Sequence, residues 1–353
     1  MSYISFQPKD YFNTLIYSGT GGNGTTTTQA ITGAGFQPDW VWLKNRSGTQ
    51  RHQLCDVVRG ANNIIDTTQT AAELADSQII NSFDSDGFTA GYQDQANDTG
   101  QTYVSWLWRA ANSQGSSNTD GTINTTYTSA NTTSGFSIIQ YNGNGSAGAT
   151  IGHSLGVAPK CVIIKRTDTT SNWIFGHEPL GFNKFLYLNT NDQVTTNSGT
   201  FNDTAPSSSV ITLGSWNDVN NSSGTYICYA FAEKTGFSKF GKYKGNGNAD
   251  GTFVYTGFKP AFVFCRFIDA SNGYDFVMID NKRPGYNVTQ NILEANTTDA
   301  ENTNANFKFD FLSNGFKFRG TESNFNDTGY DYIYMAFAEE PLVSSNGVPA
   351  TAK

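Results

Sequence analysis

Nowhere in this sequence do lysines and arginines gather into a run, and no apolar stretch approaches the roughly 20 residues a helix needs to cross a bilayer. The first lack, with a net charge of −8 and a pI near 4.9, argues against nucleic acid as a partner, because phosphate contact needs a basic patch or stripe. The second argues against membrane insertion. The opening MSYISFQPKDYF also lacks the charged start and apolar core of a secretory signal, so synthesis in a cytoplasm is expected. Histidine is scarce: His52, His153 and His177 sit in unrelated contexts, without an H-x-x-x-H or G-x-S-x-G phrase, and point to neither a metal site nor a triad. Cys55, Cys161, Cys228 and Cys265 show no CxxC or Cys/His ligand spacing, which reads as buried free thiols. No cofactor is expected.

Charged residues are few at 15%, whereas aromatics reach 14%, and 36 glycines accompany only 9 prolines. That balance suits short aromatic-rich strands between polar turns better than amphipathic helices. At 353 residues there is room for two or three domains.

Three phrases recur. A strand ending in a glycine turn appears as LIYSGTGG, IIQYNGNG and FGKYKGNG, with Tyr17, Tyr141 and Tyr243 before the glycines. A proline stands six positions before a cation in GFQPDWVWLK, LGVAPKCVIIK and TGFKPAFVFCR, pairing Pro38 with Lys44, Pro159 with Lys165 and Pro260 with Arg266. An asparagine stands six positions before a tyrosine in NDTGQTYVSWLW, NNSSGTYICYAF and NDTGYDYIYMAF, pairing Asn97 with Tyr103, Asn220 with Tyr226 and Asn326 with Tyr332. Spacing kept within units while the distance between units varies is the mark of repeated domains with variable loops. The expected fold is therefore all-β, with three tandem β-sandwich, jelly-roll-like repeats of about 100 residues each. They cover residues 1–112, 134–234 and 235–343, with a Ser/Thr/Asn-rich linker over 113–133 and a C-terminal tail over 344–353. One helical turn is expected at Thr70–Ile80, in TAAELADSQII. On the aromatic strands, alternate side chains face opposite ways, so one set fills a sandwich core and the other is free to stack on a neighbouring sheet or unit.

Chemistry-bearing residues are sparse. Asp84, Asp86 and Asp94 could supply the paired carboxylates of a glycosidase, and Asp84 with Asp86 in FDSDGF could cluster oxygens around calcium. Acids in such SDG and NDTG contexts are equally the residues that turns demand, and no enzymatic activity is expected. Asp56 with Arg59, and Asp280 with Arg283, stand three apart beside a glycine-containing turn, whereas the second unit has HEPLG there. They read as loop-pinning ion pairs or as an intersubunit contact or glycan site. Trp173, in the loop-like SNWIFG, is the aromatic most suited to exposure and sugar stacking.

The phrases GFQPDWVWLKNRSG, DVVRGANN, FDSDGFTAG, YVSWLW and the ending YIYMAFAEEPLVSSNGVPATAK resemble repeat-bearing virion proteins of marine tailed bacteriophages, members described as structural or tail-associated. The resemblance implies a virion component assembled in the host cytoplasm, with other virion proteins as partners and no catalytic signature. A tail fibre or adhesin presenting its sandwiches to a host-surface glycan is the leading expectation. A capsid decoration or head-fibre protein is the alternative, and a polysaccharide-degrading tail enzyme the third. A homotrimer is the expected assembly for a fibre, with the N-terminal MSYISFQPKDYF as an attachment arm.

Overall fold

Tyr103, Tyr226 and Tyr332 each open a strand that occupies the same place in its sheet: Thr102–Trp108, Thr225–Phe231 and Asp331–Pro341. These closing strands lie between an opening strand (Phe12–Ser18, Phe136–Asn142, Ser238–Lys244) and a middle strand (Trp40–Asn45, Cys161–Arg166, Phe258–Phe267), antiparallel to both. A corner strand follows on the far side of the middle strand: Gln53–Asp56, Trp173–His177 and Val277–Asp280. The computed structural model describes residues 6–22, 24, 26–269, 273–343 and 347–352. Over these the chain is nearly all β, with large sheets of six, seven and five strands and small sheets of three, two and three.

The side-chain alternation of the closing strands divides the interior. Tyr103 and Leu107 face the small sheet of the first unit with Ile31, Phe88 and Val41, and Tyr226, Cys228 and Ala230 do the same in the second unit with Ile151, Ile211 and Leu213. In the third unit Phe316 and Phe318 of the small sheet pack on Tyr243 and Tyr334. The opposite set, Trp106 and Trp108, Tyr229 and Phe231, Met335 and Phe337, meets in one shared aromatic cluster. Phe12 stacks on Phe337 at 5.3 Å, Trp40 on Tyr229 at 4.4 Å, and Phe231 lies 5.8 Å from Phe337, so all three units touch each other there. The apolar faces that a lone sandwich would leave bare are covered from within the chain.

The recurring asparagines and tyrosines lock the glycine turns. Tyr17 stacks on Tyr103, Tyr141 on Tyr226 and Tyr243 on Tyr332, with centroids 5.0–5.1 Å apart. The later tyrosine of each pair receives the backbone N–H of Asp98, Asn221 or Asp327 and donates to the carbonyl of Asp94, Asn217 or Ser323. Asn97, Asn220 and Asn326 are fully buried. Each accepts a turn N–H at Oδ1 (Thr20, Asn144, Asn246) and donates from Nδ2 to two carbonyls. The turns so held pass through Gly22, Gly145 and Gly247 at φ of 75°, 75° and 62°, the left-handed region glycine enters without penalty. Asn220→Ala orphans one N–H and two carbonyls, and urea unfolding should register a loss of about 1–3 kcal/mol. A loss under half a kcal/mol would mean that water replaces the amide.

Three local expectations change. Thr70–Ile80 forms no helix: it holds the two-residue strand Leu74–Ala75, because Glu73 N–H bonds to the Thr167 carbonyl of the second unit and draws the loop outward. The 113–133 segment is no free linker, since Tyr127–Asn131 pairs with Phe136–Asn142 as part of the second unit's sheet, and Ser116 and Ile123 bridge to Thr128 and Ile151. Of the proposed arm, residues 1–5 lie outside the described residues, and Phe6 and Tyr11 pack on Phe237 of the third unit. Residues 344–346 and 353 of the tail are likewise outside, while Ala350 N–H bonds to the Leu342 carbonyl.

Candidate functional site: three joints and an open cleft

The cation six residues after each proline ends up buried, and each reaches into a loop of another unit. Lys44 Nζ donates to the Thr298 carbonyl of the third unit at 3.2 Å, Lys165 Nζ to the Thr70 carbonyl of the first at 3.2 Å, and Arg266 to the Asp192 carbonyl of the second at 2.8 Å. Thr70 and Thr298 stand at the same register position of their loops, so the joints run head to tail and close a ring of three. Burial pulls both lysines down to about 8, although Asp299 and Asp66 favour the charged form of Lys44, and Asp218 and Asp168 that of Lys165. Burial likewise lowers Arg266 to about 10, and its guanidinium lies 4.9 Å over the Phe276 ring.

The corner strands end at Asp56 and Asp280, both inaccessible to solvent. Asp56 Oδ1 accepts the Val58 and Arg59 N–H groups, while Oδ2 takes Arg59 Nε at 2.6 Å and the Tyr229 hydroxyl of the second unit at 2.7 Å. Asp280 repeats this: its Oδ2 takes Arg283 Nε at 2.6 Å and the Trp106 indole N–H of the first unit at 3.1 Å. Each arginine also meets a second acid, Glu73 at 2.9 Å and Glu301 at 3.1 Å. Burial alone would depress the Arg59 guanidinium, but Asp56, Tyr229 and Glu73 outweigh it and hold the group charged.

The third joint replaces the whole set at once. Register places His177 where Asp56 and Asp280 stand, and Met335 where the donors Trp106 and Tyr229 stand. Leu180 follows His177 at the spacing at which Arg59 follows Asp56. Here His177 Nε2–H donates to the Tyr334 carbonyl at 3.1 Å, and Cys161 Sγ lies 3.6 Å from Met335 Sδ, where the other joints have Trp40 on Tyr229 and Phe262 on Trp106. Burial keeps His177 neutral by lowering it to about 3.

None of Trp173, Asp56, Arg59, Asp280 and Arg283 stands open to a ligand. Trp173 is not in an exposed loop: it begins a corner strand, fully buried, with Nε1–H on the Asp66 carbonyl of the first unit at 2.9 Å. Asp56, Arg59, Asp280 and Arg283 are sealed in joints that a glycan cannot enter. Asp84 holds the Ser82 and Thr89 hydroxyls and Asp86 the Gly33 and Gly35 N–H groups, so the two carboxylates serve separate strand and turn contacts. Asp94 contributes its backbone carbonyl to Tyr103. His52 and His153 hydrogen-bond through both ring nitrogens, His52 between the Trp42 indole and the Glu294 carbonyl. Among the described residues no group of three potential metal ligands converges. The shared aromatic centre leaves a cavity of only about 10 Å³, lined by apolar groups such as Trp42, Phe264 and Met335, and has no room for a ligand.

What faces solvent was not singled out by sequence. A cleft of about 370 Å³ opens in the first unit between the loop Asp66–Asp76 and the turn carrying Gln93 and Gln95. A second, of about 560 Å³, is lined by Glu294 and Asp299–Asn304 of the third unit. Asp66 and Glu294 occupy the same register position in the two units. Burial raises the carboxyl of each, that of Glu294 to about 7. Among the described residues the exposed aromatics are Phe253 and Tyr255, on one face of the edge strand Phe253–Tyr255, with Tyr286 and Tyr330.

A family model described as a domain of unknown function, DUF7483, matches residues 7–341. No curated protein and no solved structure matches.

Proposed function

The chain belongs to the DUF7483 family, and we propose that it is a structural, non-enzymatic component of a bacteriophage virion, tail-associated, that offers its outer clefts and strand edges to a host-surface glycan. The observation that carries a structural role is the use to which the interior polar chemistry is put. Asp56, Asp280, Arg59, Lys44, Lys165, His52 and His177 all hydrogen-bond from one unit to another, and the Arg283 guanidinium lies 5.7 Å over the Trp106 ring of the first unit. The resemblance in GFQPDWVWLKNRSG and its companion phrases supplies the virion setting. Polar clefts and, outside their linings, exposed aromatics such as Tyr255 and Tyr286 offer the two kinds of contact that sugar recognition uses, bonding to hydroxyls and stacking on ring faces.

A capsid-decoration role is the second reading, favoured by the head-to-tail ring, which presents three related outer faces and so suits contact around a local three-fold axis of a shell. Immunogold electron microscopy of purified source particles, with antibody to the recombinant chain, separates the two. Label on the tail or its fibres is the expected result, label over the capsid favours decoration, and unlabelled particles overturn both.

A further inference from the structure

We propose that the edge strand Phe253–Tyr255 of the third unit is a docking site for an extended segment of a partner protein, Thr- and Asn-rich with an apolar residue, which adds a strand to the small sheet; this contact is separate from glycan attachment. The chain itself carries the occupied form of such a site. In the second unit the small sheet pairs Ala149–Gly152 with Val210–Leu213, and Ile123 of the 113–133 stretch bridges in parallel to Ile151 on the outer side of that pair. Ile123 N–H bonds to the Thr150 carbonyl at 2.9 Å, Thr150 N–H to the Thr122 hydroxyl at 2.8 Å, and Thr122 N–H to the Thr150 hydroxyl at 2.9 Å. The Ile123 side chain, 8% exposed, joins the core of the unit.

The third unit repeats the receiving strand without the guest. Gly148 N–H on the Leu213 carbonyl and His153 N–H on the Ser209 carbonyl frame the pair in the second unit, and Gly251 N–H on the Phe318 carbonyl and Thr256 N–H on the Asn314 carbonyl frame it in the third. The matching frames put Phe253 where Thr150 stands, Val254 where Ile151 stands and Tyr255 where Gly152 stands. Alternate residues bond across an antiparallel pair, so the main-chain groups of Phe253 and Tyr255 point away from the neighbouring strand Gly315–Phe318. Among the described residues no strand pairs on that side. The two rings are 44% and 55% exposed. An uncovered apolar edge is a template for strand addition, in which main-chain bonds give affinity and alternate side chains give choice.

Comparison within the chain selects both the edge and its occupant. In the first unit the corresponding residues are Ala30 and Thr32, and Gln29 Nε2–H ties that edge to the Ser18 carbonyl at 3.1 Å. On the large sheet of the third unit, the opening strand Ser238–Lys244 carries Lys239, Lys242 and Lys244, charges that blunt an edge. Phe253–Tyr255 has neither device. A second copy of the chain has no matching strand to give, because its 113–133 stretch is already laid on its own second unit. The donor is therefore a different polypeptide, with a segment of the chemistry of NTDGTINT, residues 118–125.

The test uses the purified full chain and a fluorescein-labelled synthetic peptide, SSNTDGTINTT, copied from residues 116–126 and read by anisotropy. The peptide should bind, and Phe253→Lys and Tyr255→Lys should each weaken it about tenfold by placing a charge where the added strand must lie. Both side chains are exposed, so both variants should melt with the parent protein, which separates lost binding from lost folding. Equal binding by parent and variants would place the peptide elsewhere, as in exchange with the resident segment of the second unit, and overturns the assignment. No binding overturns it as well. Sedimentation of the chain alone addresses the remaining occupant: a dimer abolished by the same two variants would make a second copy the guest and overturn the partner assignment.

Discussion

Replacing Trp40 by alanine should remove about 3–5 kcal/mol of stability and lower one unfolding transition of the whole chain rather than that of a single unit. Trp40 is 1% exposed and belongs to the core common to all three sandwiches. Its ring stacks on Tyr229 at 4.4 Å, lies 4.6 Å from Trp108 and 5.7 Å from Phe136, and so touches two units at once. The void left by truncation sits where rigid rings from different strands meet, and such a site relaxes poorly. A domain holds only about 5–15 kcal/mol in reserve, so this variant approaches the limit of folding. Urea unfolding followed by tryptophan fluorescence and far-ultraviolet circular dichroism should give coincident curves before and after the change. Separate transitions, with the second and third units unaffected, would show that the shared core does not couple the units.

The second large effect is expected from His177→Asp, a change that merely copies what the other two units carry. At Asp56 and Asp280 the carboxylate is met by an arginine and by a donor from the next unit. At His177 the corresponding residues are Leu180 and Met335, which donate nothing. The imidazole's bond to the Tyr334 carbonyl would be exchanged for one buried acceptor facing another. A cost of about 3–5 kcal/mol follows for an uncompensated buried charge, against a smaller loss for His177→Asn. The sign with pH is fixed: the buried carboxyl is raised in the folded state, so the variant's deficit is smallest below the ordinary Asp range near 4 and grows as pH rises above it. Melting temperatures of both variants at pH 4 and pH 7 check this. Equal deficits at both pH values would mean that the carboxylate has found a donor or water.

The recurring anchors were legible because they obey local geometry. Asn220 and Tyr226 hold a fixed spacing since both must close on one glycine turn within a single unit. The all-β class followed from the same short aromatic runs. What the sequence hid depends on the neighbour. Trp173 follows Ser171 and Asn172 and looks like a loop residue, yet the first unit covers it. The 113–133 segment has the composition of a linker, and only its pairing with Phe136–Asn142 makes it part of a sheet. The lack of an acid in the second unit was visible, but its partner change at Met335 lies in another repeat, beyond any local pattern. The cleft escaped notice for a similar reason: Asp66 and Gln95 belong to distant turns and carry no motif.

The unequal third joint gives the ring a sense of address. Were all three interfaces alike, a unit from one chain could take the seat of any unit in another, and tangled assemblies would compete with the closed ring. Here a misplaced first unit would set the Asp56 carboxylate against a thioether, and a misplaced second would leave the Tyr229 hydroxyl facing an imidazole already committed to a carbonyl. Each seat accepts its own occupant and penalises the other two, so one polypeptide counts to three and stops.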